Sequence, residues 1–198
     1  MKLNADKNTC GLRYVKTAIC LLISILILGC APPIETWQEE VQLSDGRIIV
    51  VERELITARG GGEWAHNRSG IKPAEYRIRF VYPEGSGKII EWRSLKKSTA
   101  LWPERALIFD FESGHPIVFS IVGVDDACRG YSKYIYKNDL WVEEALPNEG
   151  IEVRATNLFL DIGVDMPKFV DMEAKRKSTL EYHHPEDRQA GPRREVCG

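Results

Sequence analysis

Four pairs of patterned segments, each joined by a short turn sequence, occupy the middle of this chain. The first pair spans 37–56 around Asp45-Gly46, a dipeptide typical of tight hairpin turns. Residues 76–82 alternate between apolar and polar positions, which indicates a strand with one buried face. The remaining pairs follow the same design, and the four predicted β-hairpins are 37–56, 76–93, 106–124 and 131–144.

Two segments depart from simple alternation. The run 116–124 is almost continuously apolar, which predicts a strand buried on both faces. A last short strand is predicted over 157–162. From Pro167 to about Glu181 the spacing becomes helical, with Asp165 as the expected N-cap. The predicted fold is therefore mainly β: an antiparallel meander of hairpins (a sandwich, an open barrel or a propeller-like stack) with one C-terminal helix.

The N-terminal segment has a different character. An apolar run over 18–28 follows a stretch that contains four lysines or arginines and a single aspartate. This run is shorter than the roughly 20 apolar residues that a membrane-spanning helix needs. A basic region, a short apolar region and a small residue at the end of it predict a secretory signal peptide over 1–29.

The residues at the predicted cleavage point resemble the lipobox of bacterial lipoproteins. Ile27 and Gly29 occupy their expected positions before Cys30, whereas Leu28 stands where a small residue is more usual. The resemblance implies that Cys30 carries a thioether-linked diacylglycerol and, on its new α-amino group, an acyl chain such as palmitate. Two or more chains hold a protein stably on a membrane. The alternatives are an ordinary signal peptide with a chance cysteine and an uncleaved anchor.

The residue after the cysteine bears on which membrane a lipoprotein is sorted to. In Gram-negative lipoproteins an aspartate there commonly retains the protein in the inner membrane, and this chain has Ala31, which resembles outer-membrane cargo facing the periplasm. Pro32-Pro33 then predicts a short stiff tether. The predicted divisions are 1–29 (signal peptide), 30–36 (lipidated cysteine and tether), 37–182 (one β-rich domain with its helix) and 183–198 (polar tail).

Charge narrows the choice of partners. Residues 1–29 contain four of the 27 basic and one of the 29 acidic residues, so 23 and 28 remain, a net charge of −5. No basic stripe is present, which argues against nucleic acid as a partner. The expected partners are the membrane, through the N-terminal lipid, and a protein of the envelope.

Of the five cysteines, Cys10 and Cys20 lie in the predicted signal peptide and Cys30 is the expected lipid attachment point, so Cys128 and Cys197 remain. An exported protein meets conditions that permit disulfides, and only one pairing of these two is available. A bridge between them would close a loop of about 70 residues, worth about 4 kcal/mol in the chain-entropy model. The alternative is two free thiols.

Groups suited to catalysis are few. The polar, glycine-rich stretch 57–74 is predicted to be a loop, and its Glu63 and His66 are the candidate ligand or general-base residues. His183-His184 lies in the polar tail, where solvation explains it more simply than metal binding. No catalytic triad, metal motif or cofactor motif is present. We therefore predict no catalytic residue, no metal and no cofactor.

The opening of the mature part, Trp37 to Arg53, resembles a group of small uncharacterised lipoproteins from Gram-negative bacteria. The segment 87–92 and the region around Pro147 and Asn157 are similar to that group too. The resemblance implies no site residues, because the group has no agreed activity. The expected function is a membrane-anchored, non-enzymatic structural or interaction module. The alternative is a periplasmic ligand-binding protein or a hydrolase that uses the 57–74 loop.

Overall fold

The computed structural model describes residues 34–59, 70–98, 101–123, 128–146, 154–160, 166–182, 189–190 and 195–197. All of them belong to one compact unit, Pro33–Gly198. The predicted signal peptide and Cys30 lie outside the described residues, as does the part of the 57–74 loop that holds Glu63 and His66.

Strands dominate the described part of the chain, and one helix lies between the tenth and eleventh strands. The strands are β1 (Ile34–Gln42), β2 (Ile48–Arg59), β3 (Ile71–Val81), β4 (Ile89–Arg93), β5 (Arg105–Glu112), β6 (His115–Gly123), β7 (Cys128–Lys137), β8 (Leu140–Glu144), β9 (Arg154–Ala155), β10 (Phe169–Val170), β11 (Gln189–Ala190) and β12 (Glu195–Cys197). The helix α1 is Met172–Tyr182.

These strands form two main sheets, each built from adjacent hairpins. Sheet 1 has the order β10-β1-β2-β3-β4, and sheet 2 has the order β12-β7-β6-β5, with β8 also paired to β7. Every neighbouring pair is antiparallel except β1 with β10. The mainly β prediction, with four hairpins and a C-terminal helix, is confirmed, and the sheets pack as a β-sandwich.

The core lies between the two sheets. Inward side chains of sheet 1, such as Ile78 and Trp92, pack in one cluster with Phe109 and Val118 of sheet 2. A second cluster covers the opposite face of sheet 2, where Leu160 packs on residues of β5 and β6. Of the predicted doubly covered strand 116–124, residues 116–120 are buried throughout, whereas 121–122 are half-buried, Gly123 is exposed and residue 124 lies outside the described residues.

One side chain joins the two sheets at each open side of the sandwich. Trp141 of β8 donates its indole N–H to the backbone carbonyl of Glu91 in the edge strand β4, at 2.7 Å. On the other side the amide of Asn157 donates to the carbonyls of Gln42 (2.9 Å) and Phe109 (2.7 Å) and accepts from the Phe109 N–H (2.9 Å). Backbone groups at sheet edges need such partners, because an edge without one invites pairing with another chain.

The C-terminal region differs from its prediction. Phe169 and Val170 were expected in the helix, but they pair with β1, and the helix begins at Met172. The N-cap is Asp171, whose carboxylate accepts the Ala174 N–H at 2.7 Å, while the expected cap, Asp165, lies outside the described residues. Burial of Val170 against sheet 1 outweighs the local helical spacing.

Two further expectations need correction in the described residues. Residues 157–160 of the predicted strand 157–162 are irregular. The backbone N–H of Asn157 donates to the Leu107 carbonyl and its side chain accepts from the Phe109 N–H, so both bind the edge of β5. In the predicted polar tail, β11 pairs with β9 and β12 pairs with the first residues of β7. The single helix in the described part is neither long nor apolar enough to cross a bilayer.

All four hairpin turns lie at the same end of the sandwich, called here the tip end. They comprise 43–47, 82–88, 113–114 and 138–139. Contacts between turns hold them together, among them Arg47 with Glu84 and Lys88 with Asp139. The start of β1 at Ile34 lies at the opposite end, the base end, where Ile34 pairs with Ile56.

Candidate functional site

A cleft of about 610 Å³ opens at the tip end, and it is called here the tip cleft. Its walls come from the first three hairpins: the start of β2, the end of β3 and the turn that joins β5 to β6. The volume lies within the range of roughly 300–1,000 Å³ typical of small-molecule pockets. The lining combines aliphatic and aromatic side chains with a charged rim.

The cleft forms where sheet 1 divides. β2 and β3 pair from Arg59 opposite Ile71 as far as Glu52 opposite Arg79, and there their ladder ends. β2 nevertheless continues back to Ile48 along β1, and β3 continues to Val81 along β4. The two strands therefore line the cleft from both sides with residues that lie beyond their shared ladder.

Aromatic rings form the floor. The ring centroid of Phe111 lies 6.5 Å from that of Phe80 and 6.0 Å from that of Tyr82, and all three residues line the cleft. Phe80 also contacts Phe109 edge to face at 4.5 Å, which joins the floor to the core. A floor that packs on the core is rigid, so the cleft is a preformed feature of the sandwich.

The rim of the cleft carries three charged side chains, Asp45, Arg47 and Glu84. The Arg47 guanidinium contacts Asp45 at 2.8 Å and Glu84 at 3.3 Å, and its central carbon lies 5.7 Å from the centre of the Phe111 ring. The pKa of Asp45 is lowered because the backbone N–H and the side chain of Arg47 both donate to it. The pKa of Arg47 is raised by its hydrogen bond to Asp45 and, more weakly, by the charges of Glu84 and Asp110.

Hydrogen bonds between the hairpins fix the walls in place. The Ser44 N–H donates to the carboxylate of Asp110 in β5, at 3.2 Å. The Tyr82 hydroxyl donates to the carbonyl of Gly114 at 2.9 Å, and the positive φ of Gly114 (79°) suits the tight turn there. These bonds tie the first hairpin to the third and the second to the third.

A second cluster of charges lies buried between sheet 1 and the C-terminal segment. The side chains of Glu39 and Arg53 are both 0% exposed and pair at 2.9 Å. Glu39 also accepts from the Trp37 indole at 3.3 Å, and the Arg53 guanidinium lies over the Trp37 ring, 5.4 Å from its centre. Nε and Nη2 of Arg53 have no hydrogen-bond partner among the described residues, so the ring face compensates part of their desolvation.

The helix adds a second cation to this cluster. Lys175 donates to the Asn157 carbonyl at 2.7 Å, and its Nζ lies 3.6 Å from Glu39 Oε1. Burial lowers the pKa of Lys175 to about 8; nearby Arg53 also lowers it, whereas Glu39 opposes the shift. The cluster joins α1, β1 and β2 through these contacts, and we assign it a structural role.

The predicted site residues fall in several places. Cys30, Glu63 and His66 are outside the described residues, so the lipid attachment and the 57–74 loop site stay predictions. Cys128 and Cys197 occupy opposite positions in the antiparallel ladder of β7 and β12. Residues 57–59 belong to β2 and residues 71–74 to β3, so the predicted loop over 57–74 is wrong at these two ends.

Sequence reasoning missed the tip cleft, although the chain contains a signal for it. The run Ile48-Ile49-Val50-Val51 is apolar at four successive positions, where a strand with one wet face would alternate. The outward members, Ile48 and Val50, are 54% and 50% exposed. Apolar residues on the outward face of a strand can mark a binding surface.

No protein-family model, curated protein or solved structure significantly matches this chain. Its function must therefore be argued from its own residues.

Proposed function

We propose that this chain is a lipid-anchored protein of the bacterial cell envelope. On this proposal residues 1–29 direct export, Cys30 becomes the first residue of the mature protein, and its acyl chains hold the domain on the membrane. The support is the order of features in the sequence: a basic segment, a short apolar run and the lipobox-like Ile27-Leu28-Gly29-Cys30. Ala31, in place of aspartate, favours the outer membrane and the periplasmic side.

The domain acts, on the same proposal, as a non-enzymatic binding module that uses the tip cleft. The single observation that carries this role is the preformed 610 Å³ cleft with an aromatic floor. The charged groups that line it, Asp45, Arg47 and Glu84, form ion pairs centred on Arg47, and the Tyr82 hydroxyl donates to the Gly114 carbonyl. This arrangement suits binding better than general acid–base chemistry, which needs a group poised to exchange a proton.

The proposed lipid anchor and the proposed binding role of the tip cleft are geometrically compatible. Ile34 follows Cys30 by four positions, so the chain between them reaches at most about 14 Å. Ile34 starts β1 at the base end, and β1 runs nine residues, or about 30 Å, towards the tip end. A domain anchored through Cys30 would present the tip cleft away from the membrane surface.

The anchor is tested by intact-mass spectrometry of the protein extracted from envelopes. The expected mature form starts at Cys30 and carries the mass of a diacylglycerol and an amide-linked acyl chain. The control is Cys30→Ala, which should accumulate at precursor mass with no lipid. A wild-type N-terminus that starts at residue 30 or 31 without acyl chains, or an unprocessed precursor, would overturn the anchor.

A further inference from the structure

We propose that the ligand of the tip cleft is a small amphiphile with an apolar body and a positively charged head group. This inference deepens the binding role proposed above and rests on it. Two features of the cleft support it: an aliphatic and aromatic interior, and a mouth with an excess of negative charge.

The apolar part of the ligand is argued from the walls. Ile48 and Val50 on one side and Val81 on the other line the cleft and are 54%, 50% and 46% exposed. Below them lie the rings of Phe80 and Phe111. Covering this surface removes apolar area from water, and that is the main driving force for binding an alkyl or aryl group.

The positive head is argued from the charges at the mouth. The carboxylates of Asp45 and Glu84 stand on the rim beside one guanidinium, that of Arg47, so the mouth carries one more negative than positive charge. The mouth already holds a cation in this setting, since Arg47 lies over the Phe111 ring between those two carboxylates. Carboxylates and a ring face together favour an ammonium group and disfavour an anion.

The binding test uses residues 31–198 without the lipid, so that acyl chains of the protein cannot compete. All the core clusters consist of residues from Trp37 onward, so this fragment keeps the whole described core. The probes share a twelve-carbon chain and differ in the head: dodecyltrimethylammonium (cationic), dodecyl maltoside (neutral) and dodecanoate (anionic). Each is titrated below its micellar concentration by isothermal calorimetry, and circular dichroism confirms that the fold persists.

The expected order of affinity is cationic, then neutral, then anionic. Exposed ion pairs contribute about 0.2–1 kcal/mol each, so the cationic probe should bind about fivefold more tightly than the anionic one. In the double variant Asp45→Asn/Glu84→Gln this preference should fall to about twofold or less, while the neutral probe keeps its affinity.

A second variant tests the location. Val50→Asn should weaken all three probes, because it places an amide on the apolar wall. Its matched control is Val142→Asn, the same change at an exposed position of β8 that does not line the cleft, and it should leave binding unchanged.

The outcomes separate the inference from the anchor. Equal affinity for the three heads, or tighter binding of dodecanoate, would overturn the cationic ligand. Loss of binding in Val142→Asn as large as in Val50→Asn would overturn the cleft as its site, as would no binding of any probe. None of these results touches the anchor, which the mass of the N-terminus decides independently.

Discussion

At the scale of single residues, Asn157 connects three separate parts of the fold. Its side-chain amide gives two hydrogen bonds and accepts one, and these connect β1 of sheet 1 to β5 of sheet 2. Its own carbonyl accepts from Lys175 of α1. One residue therefore links both sheets and the helix, which explains why an irregular segment is needed there.

We expect Asn157→Asp to lower the free energy of unfolding by about 3 kcal/mol. The change replaces the N–H donor by a carboxylate oxygen, so the hydrogen bonds to the Gln42 and Phe109 carbonyls are both lost and a negative charge faces two carbonyl oxygens of partial negative charge. Urea unfolding at pH 7 measures the effect. Asn138→Asp is the matched control, since Asn138 is exposed in a turn at φ 52°, a conformation that aspartate also adopts. A loss no larger than in this control would show that the amide does not join the sheets.

Lys175 predicts a pH dependence of stability. Its pKa is about 8 in the folded protein, against an ordinary lysine value of 10.5, so between these two pH values the unfolded chain holds a proton that the folded chain has released. The free energy of unfolding should therefore rise with pH from about 8 to about 10.5, by on the order of 3 kcal/mol in all.

The control for this prediction is Lys175→Met, which keeps a long side chain but cannot titrate. The difference between wild type and variant isolates Lys175, because other groups that titrate at high pH, such as Tyr76 with its raised pKa, are present in both proteins. Unfolding is measured at half-unit steps of pH. Parallel curves for the two proteins would contradict the buried, weakly basic Lys175.

At the scale of elements, the turns and their flanking patterns account for most of what the sequence predicts correctly. Asp45-Gly46 at a tight turn, with Gly46 at φ 89°, defines the first hairpin by local chemistry alone. The start of the helix was wrong by five residues, since Phe169 and Val170 have helical spacing yet find a partner strand in β1. Local spacing carries no information about that partner.

The tip cleft could not be predicted for the same reason. Its parts come from three hairpins, and their meeting depends on how sheet 1 divides beyond Glu52 and Arg79. The apolar run over 48–51 can be read from the sequence. Its outward residues can be recognised as a wall of the cleft only once the fold places Val81 and Phe111 beside them. The polar, glycine-rich composition of 57–74 predicted a loop with a candidate ligand site instead. The central residues of this segment lie outside the described part of the chain.

The pairing of β7 with β12 sharpens the disulfide prediction. Directly opposed residues of antiparallel strands have Cα atoms about 4.5–5.5 Å apart, within the range that a disulfide spans. Cys128 and Cys197 hold such opposed positions. If the chain is exported as proposed, we expect the two to be bridged and the bridge to stabilise the fold by up to about 4 kcal/mol.

Alkylation of the unfolded protein without reductant checks this expectation. A bridged protein leaves both cysteines unmodified until a reductant is added, and non-reducing gels should separate it from Cys128→Ser. The double variant Cys128→Ser/Cys197→Ser is the control for the mutations themselves and should migrate as the reduced form does. Two alkylated cysteines before reduction would contradict the bridge.

At the scale of the whole molecule, the start of β1 and the tip cleft lie at opposite ends of the sandwich. The strands run from the base end, where Ile34 begins β1, to turns that are held together by side-chain contacts. Anchoring at Cys30 therefore predicts an orientation: the base near the membrane and the turns about 30 Å farther out, the length of β1.

This orientation is measured most directly by energy transfer to a fluorescent lipid head group in vesicles that carry the lipidated protein. The donor dye is attached through a non-natural amino acid at Leu95, exposed near the base end, or at Ser86, in the turn between β3 and β4. Transfer should be clearly more efficient from position 95 than from position 86, and the unlipidated fragment 31–198 should show none. Equal transfer from both positions, or stronger transfer from position 86, would contradict a domain that stands on its base with the tip cleft facing away from the membrane.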